Sequence, residues 1–239
     1  DTYRMKKLGI IGGLGPMATA YFLQLITQMS DAATDQEHME IYVISKPSIP
    51  DRTDYILGLS DRSPAEEMSA VGAQLKSLGA ELLAMPCVTG HYFHQEIEKN
   101  VGLPLIDAIE ETADYLFHRR IRKVGILATV GTIESRLFQC TLENKKIECV
   151  IPNETGQKRI MDVIYKDIKA GKTVHMENFK TVSEALRYQG AEVILLACTE
   201  LSMLKRDYQI GRDYLDVMEV LAAKVVDICN RLKPEYKEL

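Results

Sequence analysis

Cys87 and Cys198 are the residues whose type and spacing most directly indicate chemistry in this chain. Each ends a short apolar run, and each lies eight residues after the glycine of a Gly-Ala-Glu triplet, Gly79 or Gly190. A thiol with a pKa of about 8.5 can act as a base or as an acid near neutral pH. Two facing thiols can therefore invert a carbon centre, because one removes a proton from one face and the other returns a proton to the opposite face. A single cysteine at a strand end is usually a core residue, but the matched placement favours the paired function.

The two cysteines belong to a longer internal repeat. The echoed segments are residues 7–11 with 123–127, Gly15 with Gly131, residues 79–81 with 190–192, and residues 105–107 with 214–216. The offsets run from 109 to 116 residues. They predict two related halves, residues 1–115 and 116–239, with the C-terminal helix packed back on the first half. Asp107 and Asp216 are expected to cap the helices that follow them.

Short apolar runs alternate with segments of helical periodicity from one end of the chain to the other. Strands are predicted at residues 8–11, 41–44, 82–85, 124–127, 147–151 and 193–196, and helices at residues 16–30, 64–78, 133–143 and 176–189. Such alternation produces parallel sheets covered by helices. The predicted fold class is α/β, with two pseudo-symmetric parallel-sheet domains. Their shared cleft is the expected site, because ligands of open α/β sheets lie outside the carboxyl ends of the strands.

The composition argues against several classes of function. The 239 residues carry 29 Lys and Arg against 34 Asp and Glu, and the net charge of −5 argues against a nucleic-acid partner. No apolar run approaches the roughly 20 residues that span a bilayer. The five cysteines include no Cys-x-x-Cys pair, and His91 and His94 lack a third ligand, so no disulfide scaffold and no metal site are expected. Glycines and Pro16 interrupt the first apolar run, and we expect a cytoplasmic protein with reduced thiols.

Several motifs resemble those of the aspartate/glutamate racemase family, in the family's order and over nearly the whole chain. They are Gly-Gly-Leu-Gly-Pro-Met-Ala-Thr at residues 12–19, Pro-Ser-Ile-Pro-Asp-Arg-Thr at 47–53, Pro-Cys-Val-Thr-Gly-His at 86–91, Gly-Ile-Leu-Ala-Thr-Val-Gly-Thr at 125–132, Ile-Lys-Ala-Gly at 168–171 and Ala-Cys-Thr-Glu at 197–200. The resemblance implies a homodimeric amino-acid racemase that uses two cysteines as its two bases. It also implies that neither pyridoxal phosphate nor a metal takes part, and that the substrate is a small amino acid such as aspartate or glutamate.

The resemblance assigns four of the site residues directly. Cys87 and Cys198 match the catalytic pair. Arg52 matches the family arginine that binds the distal carboxylate of an acidic substrate, and Lys169 matches a lysine that shares this task. Arginine suits bidentate carboxylate binding, and Arg52 lies in a proline-rich loop after a strand, where ligand residues gather. The alternatives are a surface charge for Arg52 and a solvated lysine at a helix end for Lys169.

The residues that follow the cysteines are expected to contact the substrate. Thr89 and Thr199 match positions that hydrogen-bond its α-carboxylate or amine. The family reads Pro-Cys-Asn-Thr-Ala-His at the first cysteine, whereas this chain has Val88 in place of the asparagine and Gly90 in place of the alanine. Valine offers no amide, so Val88 is expected to form an apolar wall of the pocket. This departure predicts an altered substrate or a loss of turnover.

Two other functions remain open from the sequence. One is a related isomerase acting on another small acid, because hydantoin racemases, maleate isomerases and arylmalonate decarboxylases share this fold; the second cysteine argues against the decarboxylase. The other is a substrate-binding protein that has lost turnover because of Val88. Two neighbouring side chains also keep alternatives. His91 either orients Cys87 or is a satisfied buried imidazole, and Glu200 either caps its helix or tunes Cys198.

Overall fold

The computed structural model describes residues 5–238, which form two parallel β-sheets covered by helices. The first sheet contains β1 (Leu8–Gly12), β2 (Ile41–Ser45) and β3 (Leu82–Ala84), in the spatial order β2-β1-β3. The second contains β4 (Lys123–Leu127), β5 (Glu148–Val150), β6 (Val193–Leu196) and β7 (Tyr214–Asp216), in the order β5-β4-β6-β7. The paired strands run parallel in both sheets, which confirms the predicted fold class.

Helices connect the strands. They are α1 (Pro16–Met29), α2 (Arg52–Ile56), α3 (Pro64–Leu78), α4 (His94–Val101), α5 (Ala108–His118), α6 (Val130–Glu134), α7 (Leu137–Asn144), α8 (Glu154–Met161), α9 (Met176–Tyr188), α10 (Thr199–Asp207) and α11 (Val217–Cys229). Residues Asp35–Glu37, Thr89–Phe93 and Pro234–Tyr236 form short 3-10 helices, and Asp162–Ile168 continues α8 as a π-helix. Between residues 5 and 238, no helix is long and apolar enough to cross a membrane.

The two sheets repeat one topology, as the sequence echo predicts. Leu105 forms a parallel bridge with Leu83 of β3, at the position that β7 occupies beside β6 in the second sheet. Asp107 and Asp216 then accept hydrogen bonds from the first turns of α5 and α11, which confirms both as helix caps. The boundary predicted after residue 115 lies inside α5, and it stays a prediction.

Local sequence explains where helices begin and where one prediction is wrong. The Ser63 hydroxyl accepts a hydrogen bond from Ala65 N, and Pro64 occupies the first turn of α3, as expected. The single helix predicted at residues 133–143 is wrong, because the chain forms α6 and α7 instead. Arg136 adopts the left-handed conformation, with φ of 56°, and this interrupts the helix.

The two halves share a continuous apolar core. A cluster of buried side chains includes Phe22 of α1, Ile126 of β4 and Val225 of α11. Helix α11 packs against both α1 and α5, so the last long helix of the chain lies against the first half. Burial of this apolar surface holds the two sheets together.

Candidate active site

Cys87 and Cys198 lie on the wall of one narrow cavity between the two halves. Cys87 follows the carboxyl end of β3, and Cys198 follows that of β6. Each residue is 5% exposed, and both thiols are free. The cavity has a volume of about 10 Å³, which is room for about one water molecule. A substrate can therefore lie between the two thiols only after the surrounding side chains or the two halves move apart.

The Cys198 thiol is held in its protonated form. Its Sγ donates a hydrogen bond to Oε2 of Glu200, with 3.2 Å between the two atoms. Burial, and then the negative charge of Glu200, raise the pKa of Cys198 well above its ordinary value, although Lys169 opposes the shift. Of the two roles left open for Glu200, the structure favours the contact with Cys198, because Glu200 makes no capping hydrogen bond to its helix.

Glu200 connects three parts of the chain at this point. Its Oε1 accepts hydrogen bonds from Lys169 Nζ at 2.9 Å and from Gly15 N at 3.2 Å. Gly15 belongs to the glycine loop, residues 12–15. Gly13 of this loop has a φ of 92°, and a Cβ on Gly13 would collide with the backbone of Lys46. Glu200 is only 5% exposed, so its charge is held by these contacts and not by water.

Lys169 lies beside Glu200 at the end of the π-helix, and its side chain is 24% exposed. Burial lowers the pKa of Lys169, but Glu200 and then Cys198 outweigh burial, so the net pKa is raised. The lysine is therefore charged, and its charge is paired with Glu200. It lines the cavity together with both cysteines.

Arg52 supplies a buried positive charge next to Cys87. It is 9% exposed, and Nη1 donates a hydrogen bond to Pro50 O at 3.1 Å. The buried Nε has no hydrogen-bond partner, and within residues 5–238 no ion pair includes Arg52. Burial lowers the pKa of Arg52, but the neighbouring Cys87 and Asp51 raise it overall. A buried cation with open donors is complementary to a carboxylate.

Hydroxyl groups from both halves meet beside Cys87. Thr89 Oγ1 lies 2.7 Å from Thr129 Oγ1 and accepts a hydrogen bond from Thr132 Oγ1 at 3.0 Å. Counted from the cysteines, Thr89 corresponds to Glu200 and not to Thr199. The two predicted threonines are therefore not symmetry equivalents, although Thr89 and Thr199 both line the cavity.

Sequence reasoning missed three polar residues of the cavity, namely Thr53, Thr129 and Tyr165. Thr129 could have been found, because the offset of 116 that relates Gly15 to Gly131 also relates Gly13 to Thr129. Tyr165 carries no such signal, because it lies in the π-helix. Its hydroxyl donates a hydrogen bond to Oδ2 of Asp51 at 3.0 Å, which links the halves beside Arg52. Burial and Asp51 raise the pKa of Tyr165, so its phenol stays neutral.

His91 supports the loop that carries Cys87. Its Nε2 accepts a hydrogen bond from Ala108 N at 3.2 Å, so Nδ1 carries the proton and donates to Cys87 O at 2.8 Å. Burial lowers the pKa of His91 and keeps the imidazole neutral. His91 therefore fits both readings given to it, since it is fully satisfied and it orients the Cys87 backbone. The nearby His94 lies against Leu105 O, and among the described residues no group of three or more ligands could hold a metal ion.

Val88 forms an apolar section of the cavity wall. It is 3% exposed and belongs to the buried cluster that includes Ala128 of the second half. Gly90 fits its surroundings closely, because a Cβ there would lie 2.9 Å from Cε of Met85. Val88 and Gly90, the two residues that differ from the family motif at Cys87, therefore fit the packing around them.

Comparison with known proteins gives a family match. A family model described as Asp/Glu/Hydantoin racemase matches residues 11–225 of this chain. Among curated proteins, a broad specificity amino-acid racemase, RacX, of Bacillus subtilis (strain 168) is 27% identical over 227 residues. That alignment covers 92% of this chain and 96% of the relative.

Solved structures match over nearly the whole chain. An aspartate racemase of Picrophilus torridus has a TM-score of 0.84 and 31% identity, and the match covers 98% of this chain and 100% of that one. A glutamate racemase of Francisella tularensis, solved with D-glutamate, has a TM-score of 0.68 and 13% identity. It covers 94% of this chain and 80% of its own, and it is similar in fold alone.

Proposed function

This chain belongs to the Asp/Glu/hydantoin racemase family, and we propose that it is an amino-acid racemase in which Cys87 and Cys198 exchange protons at Cα. The observation that carries the proposal is the meeting of both thiols in one buried cavity, at the carboxyl ends of two equivalent sheets. The chain's similarity to an aspartate racemase and to a broad specificity amino-acid racemase supports the same reaction.

The two thiols begin the cycle in different states. Cys198 is a thiol hydrogen-bonded to Glu200, so we assign it as the proton donor and Cys87 as the base. The Cys87 thiolate removes the Cα proton, the electron pair stays on the substrate, and Cys198 delivers its proton to the opposite face. Cys87 ends as a thiol and Cys198 as a thiolate. The opposite enantiomer reacts from this second state and restores the first.

Arg52 binds a substrate carboxylate in this proposal, with Lys169 alongside it. Arg52 lines the cavity and its buried Nε has no hydrogen-bond partner, so a carboxylate bound there would supply an acceptor. A side-chain carboxylate of aspartate or glutamate fits this role. The Lys169 ammonium can contribute because it is charged, although it shares its charge with Glu200.

Threonines and backbone amides stabilise the charge that develops on the substrate. Thr89 and Thr199 line the cavity, where a hydroxyl can donate to the α-carboxylate or accept from the ammonium group. Helix α10 begins directly after Cys198, so its free N–H groups point toward the same place. Val88 closes the wall without a polar contact and so sets which substrates are bound.

We also propose that the protein acts as a homodimer in the cytoplasm and needs neither a cofactor nor a metal. A reducing compartment suits the mechanism, because both thiols must stay free to exchange protons. Light scattering of the purified protein tests the dimer. Turnover that persists after exhaustive dialysis against a chelator tests the independence from metals.

Proton NMR in D₂O tests the reaction. Incubation of single enantiomers of aspartate, glutamate and other amino acids should remove the Cα proton signal, and chiral chromatography should detect the opposite enantiomer. Cys87→Ser and Cys198→Ser should each abolish turnover. Cys140→Ser is the matched control, because Cys140 is an exposed free thiol outside the cavity. A cavity variant that inverts its substrate at the wild-type rate would refute the two-thiol mechanism.

Val88 favours one second candidate, a binding protein without turnover. Its apolar side chain stands where the family's asparagine offers an amide, so one polar anchor for the substrate is missing. Binding of an amino acid without any Cα exchange, measured by calorimetry and NMR on one sample, would establish this function. Cα exchange faster than that of a variant carrying both Cys87→Ser and Cys198→Ser would exclude a binding protein without turnover.

A further inference from the structure

The narrow cavity between the thiols adjoins a larger space. A pocket of about 350 Å³ shares Arg52, Lys169 and Glu200 with that cavity. These three residues therefore separate the reacting centre from the outer pocket. A side chain that extends past them from the reacting centre would enter the outer pocket.

The outer pocket continues along helices α1 and α10. A second space of about 440 Å³ shares Met17, Ile168 and Met203 with the first. We call the combined space the outer groove, and define its apolar lining as Met17, Ile168, Val174, Met203 and Leu204. Its polar lining includes Lys172, Tyr208 and the ion-paired Arg206 and Asp207.

The lining of the outer groove suits apolar ligands of more than one shape. Met17 is 62% exposed, an unusual position for a large apolar side chain beside a pocket, whereas Met203 is buried. Methionine is flexible and polarizable, so it adapts to differently shaped apolar groups. Exposed apolar surface that continues from an enclosed polar site is typical of a ligand-binding groove.

We call Arg52, Lys169 and Glu200, which lie between the cavity and the outer pocket, the entrance. The charges of the entrance do not require a second carboxylate on the substrate. Lys169 and Glu200 neutralise each other across 2.9 Å, so Arg52 is the cation of the entrance that lacks an ion pair within residues 5–238. One carboxylate is enough to balance Arg52. An α-amino acid with an uncharged side chain carries one carboxylate and meets this requirement.

We propose that the outer groove binds the distal part of the substrate side chain, so that the site takes α-amino acids with long, mainly apolar side chains as well as short acidic ones. The proposal rests on the proposed racemase function, since it assigns the groove to the substrate of that reaction. It names a substrate class, typified by methionine and phenylalanine, and a specificity-determining surface in Met17 and Val174.

Calorimetric binding of L-phenylalanine and L-alanine tests the groove without requiring turnover. Met17→Trp narrows the groove at an exposed position, and Val174→Trp narrows it from a different segment of the chain. Each should weaken phenylalanine binding by about tenfold or more, because an apolar pocket discriminates by this much per methylene group. Alanine binding should stay unchanged. Leu78→Trp, at the exposed end of α3, is the matched control and should leave both affinities unchanged.

The outcomes separate the two proposals. Loss of phenylalanine affinity in both groove variants, without Cα exchange of any amino acid, would support the groove and refute the racemase. Exchange of alanine or aspartate without phenylalanine binding would refute the groove and leave the racemase standing. Equal changes for phenylalanine and alanine, or no binding of phenylalanine to the wild type, would overturn the groove.

Discussion

Asp216, which lies between helices α10 and α11, offers a quantitative test of the structure. It caps α11, and its Oδ1 accepts hydrogen bonds from Met218 N at 3.0 Å and from Ser202 Oγ at 2.6 Å. Ser202 lies on α10, which begins directly after Cys198. Oδ2 of Asp216 is buried without a partner, and the residue is 0% exposed.

Burial, and then the charge of Glu219, raise the pKa of Asp216 from 3.8 to about 7. The other charged or titratable groups that face this region are Lys205 and Arg206 of α10 and Tyr21 of α1, and Lys205 is paired with Glu219 at 3.0 Å. A difference between 3.8 and about 7 corresponds to roughly 4 kcal/mol against the ionised form in the folded protein.

The folded pKa lies above the unfolded value, so the folded protein binds this proton more tightly. Below about pH 3 the group is mostly protonated in both states and costs nothing. Between about pH 4 and pH 7 the unfolded chain ionises first, and stability falls with rising pH. Asp216→Asn imitates the protonated carboxyl and keeps the oxygen that caps α11. It should therefore be about as stable as the wild type below about pH 3 and more stable by up to roughly 4 kcal/mol above pH 7.

Urea unfolding followed by circular dichroism at a series of pH values measures this difference. Asp107→Asn is the matched control, because Asp107 caps α5 in the equivalent position but is partly exposed. Its effect on the free energy of unfolding at each pH measures the cost of exchanging a capping carboxylate for an amide at the start of a helix. An Asp216→Asn effect that is constant with pH, or that destabilises the protein above pH 7, would refute the reasoning.

Three further predictions concern the cavity. Glu200→Gln removes a charge that raises the pKa of Cys198, so alkylation of Cys198 by iodoacetamide, followed by mass spectrometry, should shift to lower pH; an unchanged profile contradicts the role of Glu200. Val88→Asn should cost roughly 1–3 kcal/mol of stability by burying an amide, and it should speed Cα exchange of aspartate or glutamate; slower exchange would show that valine does not limit these substrates. Gly131→Ala would place a Cβ 2.8 Å from Thr53 Oγ1, across the two halves, and should slow exchange at least about tenfold. A wild-type rate in that variant would show that the contact yields locally.

Much of the fold could be predicted because periodicity and caps are local signals. The predicted helix at residues 64–78 coincides with α3, and the predicted strand at residues 41–44 differs from β2 by one residue. Strand β7 is only three residues long and was visible as an echo of the first half and not as a strand. Apolar periodicity reveals neither the π-helix nor the break at Arg136.

The cysteine pair could be predicted because its surroundings repeat in the sequence. The contacts between residues that occur once could not be predicted. The repeat pairs Cys87 with Cys198, and both line the cavity. The contact between Lys169 and Glu200 joins residues 31 positions apart, and it forms where the end of the π-helix meets the start of α10. Arg52 could be predicted to bind a ligand, but its open Nε could be seen only in the folded protein.

The unlike neighbours of the two cysteines constrain the kinetics of the proposed reaction. Cys198 is followed by a charged glutamate two residues later, whereas Cys87 has a neutral threonine there. The transition states for removing a proton from the two enantiomers therefore differ in their surroundings. Mirror-image substrates have equal free energies in water, so the equilibrium constant is one and kcat/KM must be identical in the two directions. The asymmetry of the pair can then appear only as compensating differences, with the enantiomer that turns over faster also having the higher KM.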